Sequence, residues 1–316
     1  YWRIHHCIGD GTSLAMLLSS TSDEHWGKEL RDSKKQARSI FQFIGNCFKL
    51  WILLIGVLLV FIHWFKGFIL GLIPGRSPKK LKSKLSTANE VAWDRKVLEV
   101  KKAKDIISHI EHTFAVKRHI TLNDLMMSCM TQAIARYYKE TYHSTPKHLP
   151  VAIPVNLRPS ARSLGNKIGS LTFILPMNIE NPVDRVLKVS EITSKAKKLP
   201  EPLVSYNLTK IFAKLPAFVT NLIFDMMSNQ VYCIMSNVRG SPFTLSYEGH
   251  EMKGLVGLVP PPNGVTVAAG LASYDDWLVA TLNCDAKTIP NPSRILEFYK
   301  EELRTLEAKY LTKKPE

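Results

Sequence analysis

The sequence is short of acid. Against 42 lysines and arginines stand 27 aspartates and glutamates, a formal charge of +15 over 316 residues. That imbalance points to anionic partners: nucleic acid, anionic lipid or a phosphate-bearing small molecule. A second lack argues against nucleic acid, because the lysines cluster without the interleaved aromatics of a base-stacking face. Cysteine is scarce too. Cys7, Cys47, Cys129, Cys233 and Cys284 are odd in number, and none are spaced as Cys-x-x-Cys. That argues against a disulfide framework and a thiolate zinc site and suits a reducing compartment. There is no HExxH run and no clustered third ligand, so no metal is expected. No short-period repeat and no initiator Met are present, and Tyr1 begins what reads as the end of a strand.

One long apolar run is present. Residues 50–65 read LWILLIGVLLVFIHWF, and with FILGLIPG the run reaches Ile73, broken only by His63 and Lys66. At about 24 residues it is long enough for a bilayer core of ~30 Å. Trp51 and Trp64 sit where interfacial aromatics would. Basic residues flank both ends, so the positive-inside rule assigns no orientation. Pro74 to Ala88 reads as a basic linker. Its Lys79, Lys80, Lys82 and Lys84 suit an anionic membrane surface, or equally a solvated linker.

The remainder reads as a globular α/β chain. Helices are expected at TSLAMLLSS, AKDIISHIEHTF, LNDLMMSCMTQAIARYYKET, Asp184–Leu199, Val204–Met227 and about Pro292–Tyr310. Strands are expected at VAWDRKVLEV, HLPVAIPVNLR, IGSLTFILPMNI, QVYCIMSNVRG, FTLSYEG, EMKGLVGLV, GVTVAAGLAS and WLVATLNCD. Strands and helices mixed in this way make an α/β sandwich with a mixed sheet.

The opening stretch carries the chemistry. In His5-His6-Cys7-Ile8-Gly9-Asp10-Gly11, a histidine at a strand end can turn one ring nitrogen to a cavity. Its ordinary pKa, about 6.5, lets it accept a proton at neutral pH. Gly9 and Gly11 permit a tight turn beside the ring. Asp10 can fold back to pair with an arginine and fix that turn. Adjacent strand residues point to opposite faces, so His5 and His6 do not readily share a metal ion; His5 is read as structural.

Here the sequence resembles the wax ester synthase/diacylglycerol acyltransferases, bifunctional enzymes of the wider chloramphenicol-acetyltransferase-like fold. Residues 5–11 match their HHxxxDG signature. Leu122-Asn123-Asp124 stands where they carry an Asn-Asp pair opening a helix. VAIPVNLRPSA…LGNKIGSLTFILP matches the start of their C-terminal domain, with Asn156, Arg158, Gly165, Asn166 and Pro176 in expected places. Ser236-Asn237-Val238-Arg239-Gly240-Ser241-Pro242 resembles their SNVPGP stretch, with Arg for Pro and one inserted residue. HHxxxDG alone is shared with peptide-synthetase condensation domains and plant acyltransferases; the four elements together are specific. The family also carries residues before the histidines, with a Pro-Leu-Trp motif, that this sequence does not contain. The resemblance therefore implies an N-terminally truncated chain.

What the resemblance implies is an α/β, chloramphenicol-acetyltransferase-like two-domain sandwich with mixed sheets and an incomplete N-terminal half, to which the apolar run adds one membrane-associated helix. Residues 1–47 would end the N-terminal acyltransferase domain, 48–73 form the membrane segment, 74–90 the linker and 91–312 the C-terminal domain. The implied activity is O-acyl transfer from acyl-CoA to diacylglycerol, a long-chain alcohol, or both, with no bound cofactor and no nucleic acid. His6 would be the general base and Asp10 structural. Asn123 and Asn237 are candidate oxyanion donors; the competing roles are helix N-capping for Asn123 and a strand-end turn for Asn237. His5, Gly11, Asp124 and Ser236 complete the motif positions. Since His6, Asn123 and Asn237 must meet in one tunnel, a single membrane crossing between them is not expected. Residues 50–73 would lie in the interface or form a re-entrant hairpin. The expected place is the endoplasmic reticulum membrane with the catalytic part cytosolic, the plasma membrane being second, and the Asn207-Leu208-Thr209 sequon unmodified. Two rival readings are a non-catalytic, membrane-associated lipid-binding remnant and a condensation-type enzyme of peptide assembly.

Overall fold

The computed structural model describes residues 8–24, 88–158 and 165–311. Their elements run α1 (Gly11–Thr21), β1 (Asn89–Glu99), α2 (Val100–Thr113), α3 (Leu122–Tyr142), β2 (His148–Asn156), β3 (Ile168–Pro176), α4 (Pro182–Ala196), α5 (Glu201–Phe212), α6 (Ala217–Ser228), β4 (Cys233–Arg239), β5 (Ser246–Tyr247), β6 (His250–Glu251), β7 (Val267–Tyr274), β8 (Trp277–Asp285) and α7 (Pro292–Leu311). Six strands form one mixed sheet in the order β1-β8-β7-β4-β2-β3. The central pairs β7–β4 and β4–β2 are parallel; the outer pairs are antiparallel.

One face of the sheet carries the core. Leu149 and Val151 of β2, Leu171, Phe173 and Leu175 of β3, and Met235 of β4 point to it, with Val267, Ala269 and Leu271 of β7 and the alternate residues Leu278, Ala280, Leu282 and Cys284 of β8. Against them pack α2, α3, α4 and α7. Helix α3 is the central rod, with thirteen buried residues between Asp124 and Tyr138. It starts sharply because Thr121 and Asp124 form a capping box, each side chain accepting from the other's backbone N–H. Helix α4 starts on Asn181, whose side chain accepts from the Val183 N–H, with Pro182 in the first turn. The buried Arg185 of α4 reaches Glu302 of α7 at 2.5 Å, joining the two helices.

The other face carries a thinner layer. Leu245, Tyr274 and Val279 form a small buried cluster there with Phe243, Tyr247 and Leu255 around it. Helix α1 joins this layer: the Tyr247 hydroxyl donates to the Leu18 carbonyl, and the Asp23 carboxylate accepts from the Glu248 and Gly249 N–H groups. Strand β3 is an edge of the sheet, and α5 lies along it. The Thr172 N–H donates to Glu201 and the Ser170 N–H to the Ser205 hydroxyl oxygen. A Cβ on Gly169 would collide with the Pro202 carbonyl, which explains glycine at that position.

Three expectations need correction. Val204–Met227 is two helices, not one, since Pro216 has no N–H to continue the helical ladder and the chain turns between Phe212 and Ala217. FTLSYEG supplies only the two residues of β5. EMKGLVGLV supplies one residue of β6 and otherwise runs as irregular chain over β7 and β8. There the Thr281 hydroxyl donates to the Gly257 carbonyl at 2.8 Å, and a side chain on Gly270 would crowd that carbonyl. The apolar run 48–73, Lys79, Lys80, Lys82, Lys84, His5 and His6 lie outside the described residues. Among the described residues no helix is long and apolar enough to cross a membrane.

Candidate active site

The sheet splits at one end. Strands β2 and β4 pair only at Val151–Cys233 and Ala152–Ile234. Beyond those rungs β2 stays with β3 as far as Asn156–Ile168, and β4 stays with β7 as far as Arg239–Ser273. Pro154, which has no N–H to donate, stands on β2 just past the last shared rung.

The Asp10–Gly11 turn sits at this split. Asp10 is the N-cap of α1 and is buried. One carboxylate oxygen accepts from the Ser13 N–H at 3.1 Å; the other meets the Arg158 guanidinium at 2.7 Å and accepts from the Lys167 N–H at 3.2 Å. Arg158 is itself almost wholly buried and also donates to the Ser13 hydroxyl oxygen, at 2.6 Å, and to the Gly165 carbonyl. Ser13 donates onward to Gly165, and Gly9 forms a parallel bridge with Gly165. Asn156 accepts from the Arg158 N–H at 2.9 Å and approaches the Thr12 hydroxyl at 3.4 Å. Outside α1 and its turn, all of these partners belong to the end of β2 and the chain that leads into β3. On its other flank the turn touches β4: a Cβ on Gly11 would lie 3.1 Å from a methyl carbon of Val238. Glycine at 11 therefore lets the turn press against one strand while Asp10 is anchored to the other. A Cβ on Gly9 would fall 2.6 Å from that of Ser13, so this position too has no room for a side chain.

Across the sheet from Val238, the neighbouring Asn237 points to the helix face. Its side-chain amide donates to the Asn123 side-chain oxygen at 3.4 Å, in a contact open to solvent. Asn123 is not the N-cap of α3; Thr121 is, and Asn123 sits inside the first turn. Asp124 turns inward, its carboxylate accepting from the Thr121 N–H at 2.9 Å and the Thr193 hydroxyl at 2.6 Å. Ser236 lies opposite Gly270 in the β4–β7 register. Gly240 follows β4 where a side chain would collide with the Ser273 carbonyl.

Three sequence elements far apart in the chain thus share one end of the sheet: the Asp10–Gly11 turn, the start of α3 and the end of β4. His5 and His6 lie outside the described residues. Sequence reasoning missed Ser13 and Thr193. No local signal marks Thr193, whose partner Asp124 is 69 positions away. Among the described residues no group of three His, Cys, Asp or Glu gathers in a way that could hold a metal ion.

Residues 164–307 match the model of the WS/DGAT C-terminal domain. That match, with the relatives and the solved structure that follow, supports a likeness to the wax ester synthase/diacylglycerol acyltransferases. A probable diacylglycerol O-acyltransferase, Tgs4, of Mycobacterium tuberculosis is 24% identical over 203 residues, which are 62% of this chain and 42% of that protein. Wax ester synthase/diacylglycerol acyltransferase 2 of Arabidopsis thaliana is 23% identical over 348 residues, covering 96% of this chain and 68% of its own length. In the solved structures, the wax ester synthase/diacylglycerol acyltransferase of Marinobacter aquaeolei VT8 shares the fold. Its TM-score is 0.55 at 19% identity, over 79% of this chain and 56% of that one. The chain thus spans less than half the length of the mycobacterial relative.

Proposed function

We propose that this protein is an O-acyltransferase that moves a fatty acyl group from acyl-CoA to the hydroxyl of diacylglycerol, a long-chain alcohol, or both. The observation that carries the reading is the meeting of the three motif elements at the split between β2 and β4. The match of residues 164–307 to the WS/DGAT C-terminal domain and the names of the relatives support the acyl-transfer class.

A neutral alcohol is a weak nucleophile, so a base must take its proton as attack begins. In this reading His6 does so. The alcohol oxygen bonds to the thioester carbonyl carbon, and the carbonyl oxygen takes the negative charge. Asn123 and Asn237 offer side-chain N–H donors to that oxyanion. Collapse breaks the carbon–sulfur bond, and the leaving thiolate takes the proton back from His6, giving ester and free CoA. Asp10 does not touch the reacting atoms; held by Arg158, it fixes the turn that follows the histidines. The basic surplus suits the phosphates of CoA and a membrane face, with Lys79, Lys80, Lys82 and Lys84 as one lipid contact. We place the protein at the endoplasmic reticulum membrane with these groups on the cytosolic side.

The test is direct. Full-length protein incubated with radiolabelled acyl-CoA and diacylglycerol, or with a long-chain alcohol, is expected to yield labelled ester. His6→Ala is expected to lower turnover at least about a hundredfold while leaving the melting temperature unchanged. No ester from folded protein with either acceptor would leave the lipid-binding remnant as the better account, and equal turnover of His6→Ala and wild type would remove His6 from the mechanism.

A further inference from the structure

The α5–α6 hairpin carries an apolar stripe that no described residue covers. Helix α6 reads AFVTNLIFDMMS, and none of its residues is buried. Phe218 is 76% exposed, Leu222 61% and Met226 56%; at i, i+4 and i+8 they lie on one face. Ile211 and Leu215 continue the exposed apolar surface through the end of α5 and the turn. The inward side is already committed. Phe212 and Phe224 pack edge to face with centroids 6.5 Å apart, and the Thr220 hydroxyl donates to the Phe212 carbonyl at 2.8 Å. The rotation of α6 is therefore fixed, and the stripe does not face the hairpin's own interior.

The charge around the stripe is mainly basic. From Lys197 to Ser228 the chain holds four exposed lysines, Lys197, Lys198, Lys210 and Lys214, against two acids: Glu201, buried against β3, and Asp225, exposed at the edge of the stripe. We propose that the α5–α6 hairpin docks on an anionic lipid surface, the stripe entering the acyl region and the lysines meeting the headgroups. Charge separates this occupant from the alternatives. A second copy paired across the same face would set lysines against lysines. The chain's own apolar run at 50–73 is bracketed by basic residues at both ends and would bring the same repulsion.

The location adds meaning. Helix α5 runs along β3 from Thr172 toward Ile168, the residue opposite Asn156. The tip of the hairpin thus lies toward the end of the sheet where the Asp10 turn and the asparagines sit. The docking holds whether or not the chain transfers acyl groups, because its test uses no acyl-CoA.

The probe is vesicles of phosphatidylcholine with 30 mol% phosphatidylserine, about the level of an anionic leaflet. Full-length protein is given Leu222→Cys, with Cys7 and Cys47 changed to Ser, and labelled with an environment-sensitive fluorophore; Cys129, Cys233 and Cys284 are buried. Adding these vesicles is expected to shift the emission to the blue and to expose the label to quenchers placed in the acyl chains. Pure phosphatidylcholine is expected to do so about tenfold less well, and Lys210→Glu with Lys214→Glu to abolish that difference. In cosedimentation, Phe218→Ser, Leu222→Ser and Met226→Ser together are expected to lower partitioning about tenfold or more at an unchanged melting temperature. A label that ignores vesicles overturns the proposal. So does one already blue-shifted in dilute protein without lipid, which would mean that the chain covers its own stripe. A blue shift that grows with protein concentration in the absence of lipid would assign the stripe to a second copy instead.

Discussion

Asp10 and Asp124 both stand at the start of a helix, both are buried, and both fall in segments that the sequence marks out. They differ in what faces them. Asp10 is met by a buried guanidinium from a distant part of the chain and caps α1 at the same time. The partners of Asp124 are neutral: the Thr121 N–H, which belongs to its own helix cap, and the Thr193 hydroxyl on α4. Removing one member of a buried ion pair strands a charge, which costs far more than losing a neutral hydrogen bond. At Asp10 the held object is a turn wedged between two diverging strands, whereas at Asp124 it is a helix that thirteen buried residues already secure. A charge is placed where packing is thin, and neutral bonds serve where packing is thick.

The largest effect is expected at Asp10. Asp10→Ala takes the Asp10 carboxylate from the buried Arg158 guanidinium and leaves it neutral acceptors such as Ser13 and Gly165, and urea denaturation should show a loss of about 3–5 kcal/mol. Asp10→Ala combined with Arg158→Met should cost less than Asp10→Ala alone, because the stranded charge is gone. A double variant as unstable as the sum of the two single ones would break the comparison by showing that the ion pair adds nothing of its own.

Asp124→Asn comes next. It weakens the cap and the Thr193 bond without stranding a cation, for about 1–3 kcal/mol by the same measurement. A loss equal to that of Asp10→Ala would mean that neutral donors do not distinguish the two sites. The smallest effect is expected from Thr193→Val, which removes one hydroxyl donor and keeps the shape. Its cost is about 1 kcal/mol, read as a shift of the urea midpoint at constant slope.

The rods and the strands of the core were legible because their periodicity is strong. Helix α3 and helix α7 repeat apolar residues at helical spacing, and β8 is apolar through most of its length. The second layer was not legible. Its irregular stretch from Met252 to Pro262 alternates glycine with Leu and Val as a strand does, yet it is positioned by β7 and β8 beneath it. The break in the α5–α6 region was available in Pro216 and was outweighed by the continuous apolar pattern around it. At the candidate site, chemistry alone calls for an arginine beside Asp10, but only the fold selects Arg158, because its approach depends on where β2 leaves the sheet. Thr193 carries no mark at all.

The lie of α5 along β3 has a consequence for the protein in concentrated solution. An edge strand with bare N–H and C=O groups is a template on which a foreign strand can add, and sheets that grow in this way end in aggregates. Here Glu201 and Ser205 occupy the outward N–H groups of Thr172 and Ser170, and the Pro202 carbonyl fills the space above Gly169. The hairpin with the exposed stripe is therefore also the guard of that edge. Proteolysis between Leu199 and Pro216, or any substitution that lifts α5, would uncover the β3 edge beside the exposed stripe. The expected result is slow, concentration-dependent fibrillar association with the rest of the sheet still folded.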